Sequence, residues 1–282
     1  MKIAITGSSG FIGSALMSSL KGHEILKISR SENLDITNWE EVRNLPHFDV
    51  IVHLAAKTFV PDSFNNPHSF YEVNLRSTIN ALEVARERKA RLIYMSSYLY
   101  GPPQYLPVDE KHPLVPHNPY AQTKILGEQL CEGYSRDFNI PITVLRLFNI
   151  YGPGQKEPFL IPTILEQAKQ GSIILKDPRP KRDFIHVSEV VDAVVKSINS
   201  CHKKLRVFNL RSGRSYSVEE VVDVITKQMN NEIKVSYLHE YRKGEVMDSV
   251  ADISKIKSEL QWEPSLSLED GIADCLAGEK IL

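Results

Sequence analysis

Lys2-Ile3-Ala4-Ile5-Thr6-Gly7-Ser8-Ser9-Gly10-Phe11-Ile12-Gly13 decides the reading of this chain. Lys2–Thr6 is a short apolar run that reads as a buried strand, and Gly10–Leu20 carries a helical pattern. Glycines at this junction permit a tight turn and a close approach of backbone to a ligand. The helix N-terminus behind them offers unpaired N–H groups to a pyrophosphate. A glycine triplet alone is weak, but a strand before it and a helix after it predict a dinucleotide site. The plainer reading is a structural glycine turn.

Working outward, the same strand-then-helix rhythm continues. Glu24–Ser29, Asp49–Leu54, Arg91–Ser96 and Ile142–Phe148 read as strands, with helices over about Pro67–Lys89 and Tyr120–Phe138. This alternation predicts a parallel, doubly wound α/β sheet, which binds ligands at the carboxyl ends of its strands. The proline-rich stretch Gly101–Pro119 predicts a long irregular loop over those ends. Beyond Gly152-Pro153-Gly154 the pattern becomes a smaller α+β region. It has helices near Pro162–Gln170 and Ser188–Ser200 and strands at Val207–Leu210 and Ile233–Tyr237. A capping box at Ser217–Glu220 opens a helix to about Met229. The last expected helix is Ser254–Leu260, before Trp262.

Tyr120 and Lys124 stand four apart in Asn118-Pro119-Tyr120-Ala121-Gln122-Thr123-Lys124. On a helix they share a face. A free tyrosine is a poor base at neutral pH, and a neighbouring ammonium favours its phenolate. The pair would then shuttle a proton in an alcohol/ketone interconversion. The plainer reading is a surface aromatic beside a solvated lysine.

The bulk properties exclude other classes. With 282 residues, 42% hydrophobic and 24% charged, the chain can fill a large core. A net charge of -1 advertises no nucleic-acid or membrane surface. The three cysteines, Cys131, Cys201 and Cys275, are far apart and fit no metal or disulfide framework. The first apolar stretch is short and ends in a glycine turn, so a cytoplasmic location is expected.

The glycine spacing resembles the short-chain dehydrogenase/reductase superfamily. Further stretches resemble its extended branch of nucleotide-sugar epimerases, dehydratases and ketoreductases. These are His53-Leu54-Ala55-Ala56, with Pro67, Asn74 and Leu82-Glu83 following, and Ser96-Ser97-Tyr98-Leu99-Tyr100-Gly101. Others are Pro119-Tyr120-Ala121-Gln122-Thr123-Lys124, Arg146-Leu147-Phe148-Asn149-Ile150-Tyr151-Gly152-Pro153-Gly154, and Arg182-Asp183-Phe184-Ile185-His186-Val187. Arg242-Lys243-Gly244-Glu245-Val246 and Ala251-Asp252-Ile253-Ser254-Lys255 complete the series.

The resemblance implies a Rossmann-type dinucleotide domain over 1–150 and about 184–212. It implies a nucleotide-sugar domain over about 151–183 and 213–282. It implies Ser96, five places before Gly101, as the hydroxyl on the reacting sugar oxygen, Tyr120 as acid/base, and Lys124 as the group lowering its pKa and holding the ribose. Gly7, Ser9, Gly10, Phe11, Ile12, Gly13, Asp35, Ile36, Leu54, Ala55, Ala56 and Asn74 would line the cofactor. Ser97, Asn149, Arg182 and Arg242 would line the substrate, and a homodimer through the helices near Pro67–Lys89 and Tyr120–Phe138 is expected. His186 is expected to be a packed core histidine.

Two departures refine this. Enzymes for NAD usually end the second strand in an acidic residue, and here Ser29-Arg30 stands there. Arg30 suits a 2′-phosphate, so NADP is expected ahead of NAD. The loop that follows leaves little room for a crossover helix. The dehydratases of this branch carry Thr-Asp-Glu where Ser96-Ser97-Tyr98 stands, so dehydration is not expected. What remains is hydride transfer at a sugar carbon, most often C4. An NADPH-dependent 4-ketoreductase is the expectation, with an NAD-dependent 4-epimerase as the alternative and a non-catalytic dinucleotide sensor as the remote one.

Overall fold

The computed structural model describes residues 1–229, 232–241 and 245–278. β1 (Lys2–Thr6) turns through the glycines into α1 (Phe11–Ser19) and returns as β2 (Glu24–Ile28). A single 3-10 turn at Arg30–Glu32 and the one-turn helix α2 (Trp39–Val42) then connect to β3 (Val50–His53), in place of a full crossover helix. α3 (Val60–Asn65) and α4 (Pro67–Arg88) lead to β4 (Arg91–Ser97). A long loop then leads into α5 (Pro119–Phe138) and β5 (Ile142–Leu147).

α5 begins where its sequence dictates. The Asn118 side chain accepts the N–H of Ala121, and proline occupies the first turn. It stops at Asn139, which adopts the left-handed conformation that ends a helix.

The second half supplies β6 (Asn149–Tyr151), α6 (Leu160–Lys169), β7 (Ser172–Leu175), β8 (Lys181–His186), α7 (Val187–Asn199) and β9 (Arg206–Leu210). β10 (Ser215–Ser217), α8 (Val218–Met229), β11 (Lys234–Tyr237), α9 (Ser254–Leu260) and α10 (Leu268–Gly278) follow. The capping box at α8 forms as expected: Glu220 accepts the N–H of Ser217, and Ser217 Oγ accepts that of Glu220. α10 lies beyond the expected final helix. Gly271 in its middle weakens the helical signal. A Cβ there would stand 2.0 Å from the Tyr151 hydroxyl, so packing requires the glycine.

Six strands form one parallel sheet in the order β2-β1-β3-β4-β5-β9. The winding reverses between β1 and β3, and that switch point is where doubly wound sheets bind ligands. Two apolar layers cover the faces. α1 and α7 cover one, joined by Ile256 and Leu260 of α9 and by Trp262. α4 and α5 cover the other. Thus α9 and Trp262, inside the stretch expected to form the sugar-binding region, pack into the core of the main sheet.

A third core joins α6, α8 and α10 to the small sheet β10-β8-β6. No helix among the described residues is long and apolar enough to cross a membrane.

Candidate active site

The glycine turn sits at the switch point. Gly7 N–H donates to the Ile28 carbonyl at 2.8 Å, and Thr6 Oγ1 accepts the N–H groups of Leu54 and Ala55 at 3.1 Å each. The ends of β1 and β3 are therefore stitched together. A Cβ on Gly7 would stand 2.9 Å from the Ala55 nitrogen, and one on Gly13 would stand 2.3 Å from the Gly7 carbonyl. Gly7 also has φ +69, which L side chains rarely adopt.

At the first turn of α1 no side chain caps the N–H groups, and the Ser8 hydroxyl is buried with no partner among the described residues. Ser9, Gly10, Phe11 and Ile12 complete this turn. Its open donors and glycine cradle fit the pyrophosphate of a dinucleotide.

His53 ends β3 in full burial between the Thr6 and Thr78 hydroxyls, at 2.8 and 3.3 Å. Burial, helped by the charge of Lys124, lowers its pKa to about 3. Asp35 spends its carboxylate on the N–H and hydroxyl of Thr37, while Ile36 packs in the core. Arg30 is exposed in the turn after β2; its carbonyl accepts the Asn33 N–H at 3.1 Å, and no hydrogen bond or ion pair holds its guanidinium among the described residues. Leu54, Ala55 and Ala56 form the turn leaving β3.

Asn74 is fully engaged within the protein. Its carbonyl accepts the Lys57 N–H at 2.8 Å, and its amide donates to the Lys57 carbonyl and to Thr123 Oγ1 at 3.1 and 2.9 Å. It ties the turn after β3 to α5.

The catalytic expectations need two corrections. Ser96 turns inward and donates to Glu128 Oε1 at 2.6 Å, in full burial. Ser97 is the serine beside Tyr120, and its side chain favours the ionised phenol. Counting back from Gly101 assumed a fixed spacing between strand and glycine; in the structure Glu128 takes Ser96, and Ser97 at the strand's end stands beside Tyr120.

Second, Lys124 does not lower the pKa of Tyr120. Burial raises the phenol, and only the Ser97 side chain opposes it. The lysine ammonium donates to the Met95 carbonyl at 2.8 Å, and burial lowers its own pKa to about 8.

Across the mouth, Tyr98 lies near Arg182 and Asp248, and burial raises its phenol to about 12. Arg182 pairs with Glu245 and donates to the Val246 carbonyl. Both charges reach His117, three residues before Tyr120. Asn149 donates to the Asp183 carbonyl at 3.3 Å. Arg242 lies outside the described residues.

Three residues were given no role by motif reading, although Asp183 and Glu245 stand inside stretches quoted for the resemblance. Asp183 is buried and latches the turn after β9, accepting from Ser212 N and Oγ at 2.8 and 2.7 Å. Burial raises it to about 6. Glu245 faces Arg182. Glu128 follows Lys124 by four residues, a helical spacing that was legible. His186 is packed against Tyr151, and its Nδ1 accepts the Ser188 N–H at the start of α7.

A doubly wound parallel sheet with a glycine cradle at its switch point and a Ser–Tyr–Lys cluster at the next strand end is the build of a dinucleotide-dependent redox enzyme. The sequence pattern of the NAD dependent epimerase/dehydratase family matches residues 3–210. A putative UDP-glucose 4-epimerase from Methanocaldococcus jannaschii is 32% identical, over 96% of this chain and 95% of its own.

The UDP-glucose 4-epimerase of Thermotoga maritima, solved with UDP-glucose, superposes with a TM-score of 0.91 at 26% identity, over 99% of both chains. The UDP-glucuronic acid 4-epimerase of Bacillus cereus, solved with UDP-glucuronic acid and NAD, superposes at 0.88 and 26%, again over 99% of both. The chain belongs to the NAD dependent epimerase/dehydratase family. It is an enzyme of that family, whose solved members above hold UDP-sugars and, in one case, NAD.

Proposed function

We propose that this protein is a 4-epimerase of UDP-sugars. The observation that carries the reading is the glycine cradle, with Ser97 and Tyr120 set side by side near it, in a chain whose relatives are 4-epimerases. The ketoreductase expectation gives way, because the same residues serve both reactions and the relatives favour returning the hydride.

A bound dinucleotide would be held by the glycine cradle and Lys124, and in oxidised form would supply the hydride acceptor and donor at the sugar carbon. The protein manages the proton. Tyr120 must be ionised to take it from the C4 hydroxyl; burial opposes this in the free protein, a positive charge beside the phenol would favour it, and the proton is then given back. Ser97 donates to the same sugar oxygen and keeps it in line with the phenol. Lys124, anchored on Met95, presents its ammonium to the ribose. Arg182 exchanges Glu245 for the substrate's diphosphate, with Asn149 alongside.

Tyr120→Phe is expected to bind dinucleotide normally and to lose at least about a hundredfold in turnover. Full activity in that variant overturns the reading.

The cofactor choice turns on Arg30, which is free to pair with a 2′-phosphate. A charge-assisted bond contributes about 1.5–3 kcal/mol, roughly a 10- to 150-fold preference for NADP. Titration is expected to show tighter NADPH than NADH binding, erased by Arg30→Ala. Equal affinities untouched by the substitution contradict it. A homodimer through α4 and α5 belongs to the same reading and is supported by Ile79 and Phe138, exposed on those helices. Sedimentation tests it: a monomer removes the proposal.

A further inference from the structure

Tyr120, Lys124 and Glu128 form one stripe along α5, four residues apart. Two of them grip the end of β4: Lys124 holds the Met95 carbonyl at 2.8 Å and Glu128 holds the Ser96 hydroxyl at 2.6 Å, while Tyr120 stands beside Ser97.

Glu128 also binds the guanidinium of Arg146 through Nε and Nη2, the latter at 2.7 Å. Arg146 Nη1 donates to the Tyr100 hydroxyl at 2.9 Å and to the Glu110 carbonyl at 3.1 Å. The Tyr100 hydroxyl donates on to Asn209. Tyr100 and Glu110 lie inside the loop whose two ends are Ser97 and Tyr120. Glu128 therefore holds one end of that loop through Ser96 and its interior through Arg146.

Ser96, Glu128 and Arg146 are at most 8% exposed. A buried ion pair is a poor source of stability, because desolvation offsets the attraction and an apolar replacement is often neutral or better. Its use here lies in geometry. A catalytic hydroxyl pair misplaced by a fraction of an ångström to an ångström loses much of its rate.

We propose that Glu128 is a positioning residue that sets Ser97 against Tyr120 through Ser96 on one side and Arg146 on the other. This rests on the 4-epimerase reading, in which Ser97 and Tyr120 touch the sugar. Kinetics and melting of Glu128→Gln and Ser96→Ala test it, with Ser97→Ala as the companion.

Glu128→Gln keeps an acceptor but loses the charge, and Ser96→Ala removes only one hydroxyl and leaves the ion pair intact. Each is expected to lower kcat about tenfold, with KM and dinucleotide affinity within about twofold. Ser96→Ala is expected to keep its melting temperature within a few degrees. Unchanged kcat in Ser96→Ala overturns the proposal, as does a joint loss of kcat, KM and melting temperature. If Glu128→Gln does not fold, Ser96→Ala decides alone. Ser97→Ala is expected to cost about a hundredfold. A silent Ser97→Ala would sink the underlying site reading instead.

Discussion

At the residue scale, two adjacent serines show what a motif can and cannot say. The run Ser96-Ser97 was recognisable, and so was its meeting with Tyr120. Which hydroxyl meets the phenol depends on where Glu128 and Arg146 lie across the sheet, and no local pattern encodes that. Lys124 is a similar case. Its helical spacing from Tyr120 was legible, but its ammonium reaches the Met95 carbonyl. With a pKa lowered to about 8, it loses its charge as pH rises through that value. Turnover and dinucleotide affinity are expected to fall together there, read from the pH dependence of kcat/KM; a flat profile to pH 10 contradicts this. His53 gives a stability prediction. Its folded pKa of about 3 lies below the unfolded value near 6.5. Between those values the unfolded chain binds the extra proton, so the contribution is complete above pH 6.5 and is lost on acidification towards 3. Denaturant titrations of His53→Gln are expected to show a flatter acid slope than wild type, and identical slopes contradict this.

At the element scale, α5 concentrates the chemistry because it lies directly on β4. Gly127 lets it do so: a Cβ there would stand 2.1 Å from the Tyr94 hydroxyl. In an isolated helix Gly→Ala would gain about 1 kcal/mol. Here Gly127→Ala is expected to cost about 1–3 kcal/mol by overpacking, measured by chemical denaturation. A rise in stability would show that α5 can move off the sheet. The main strands and the helices α4 and α5 were readable because their apolar periods are long and their caps explicit. α10 was not, since Gly271 answers to Tyr151 rather than to helix propensity. β6 and β10 have three residues each, too few for any period to register.

At the scale of the whole molecule, the strand-helix alternation foretold the parallel sheet and its ligand-binding edge. The second sheet was illegible because β10, β8 and β6 meet from distant parts of the chain. So was the return of α9 and Trp262 to the first core. Trp262 is 0% exposed among Ile256, Leu260 and the strands. Trp262→Ala is expected to destabilise the protein by about 3–5 kcal/mol in one cooperative transition. A separate, earlier transition with the main sheet intact would mean that the C-terminal segment folds on its own. In the proposed reading, Tyr120, the glycine cradle and Arg182 surround one sugar carbon. The most direct measurement is to incubate the enzyme as isolated, without added reductant, with UDP-glucose deuterated at C4. Formation of the C4 epimer with deuterium retained is the predicted result. Absence of epimer here, with NADPH oxidised in step with product when a UDP-4-keto-sugar is supplied instead, would contradict it and restore the ketoreductase.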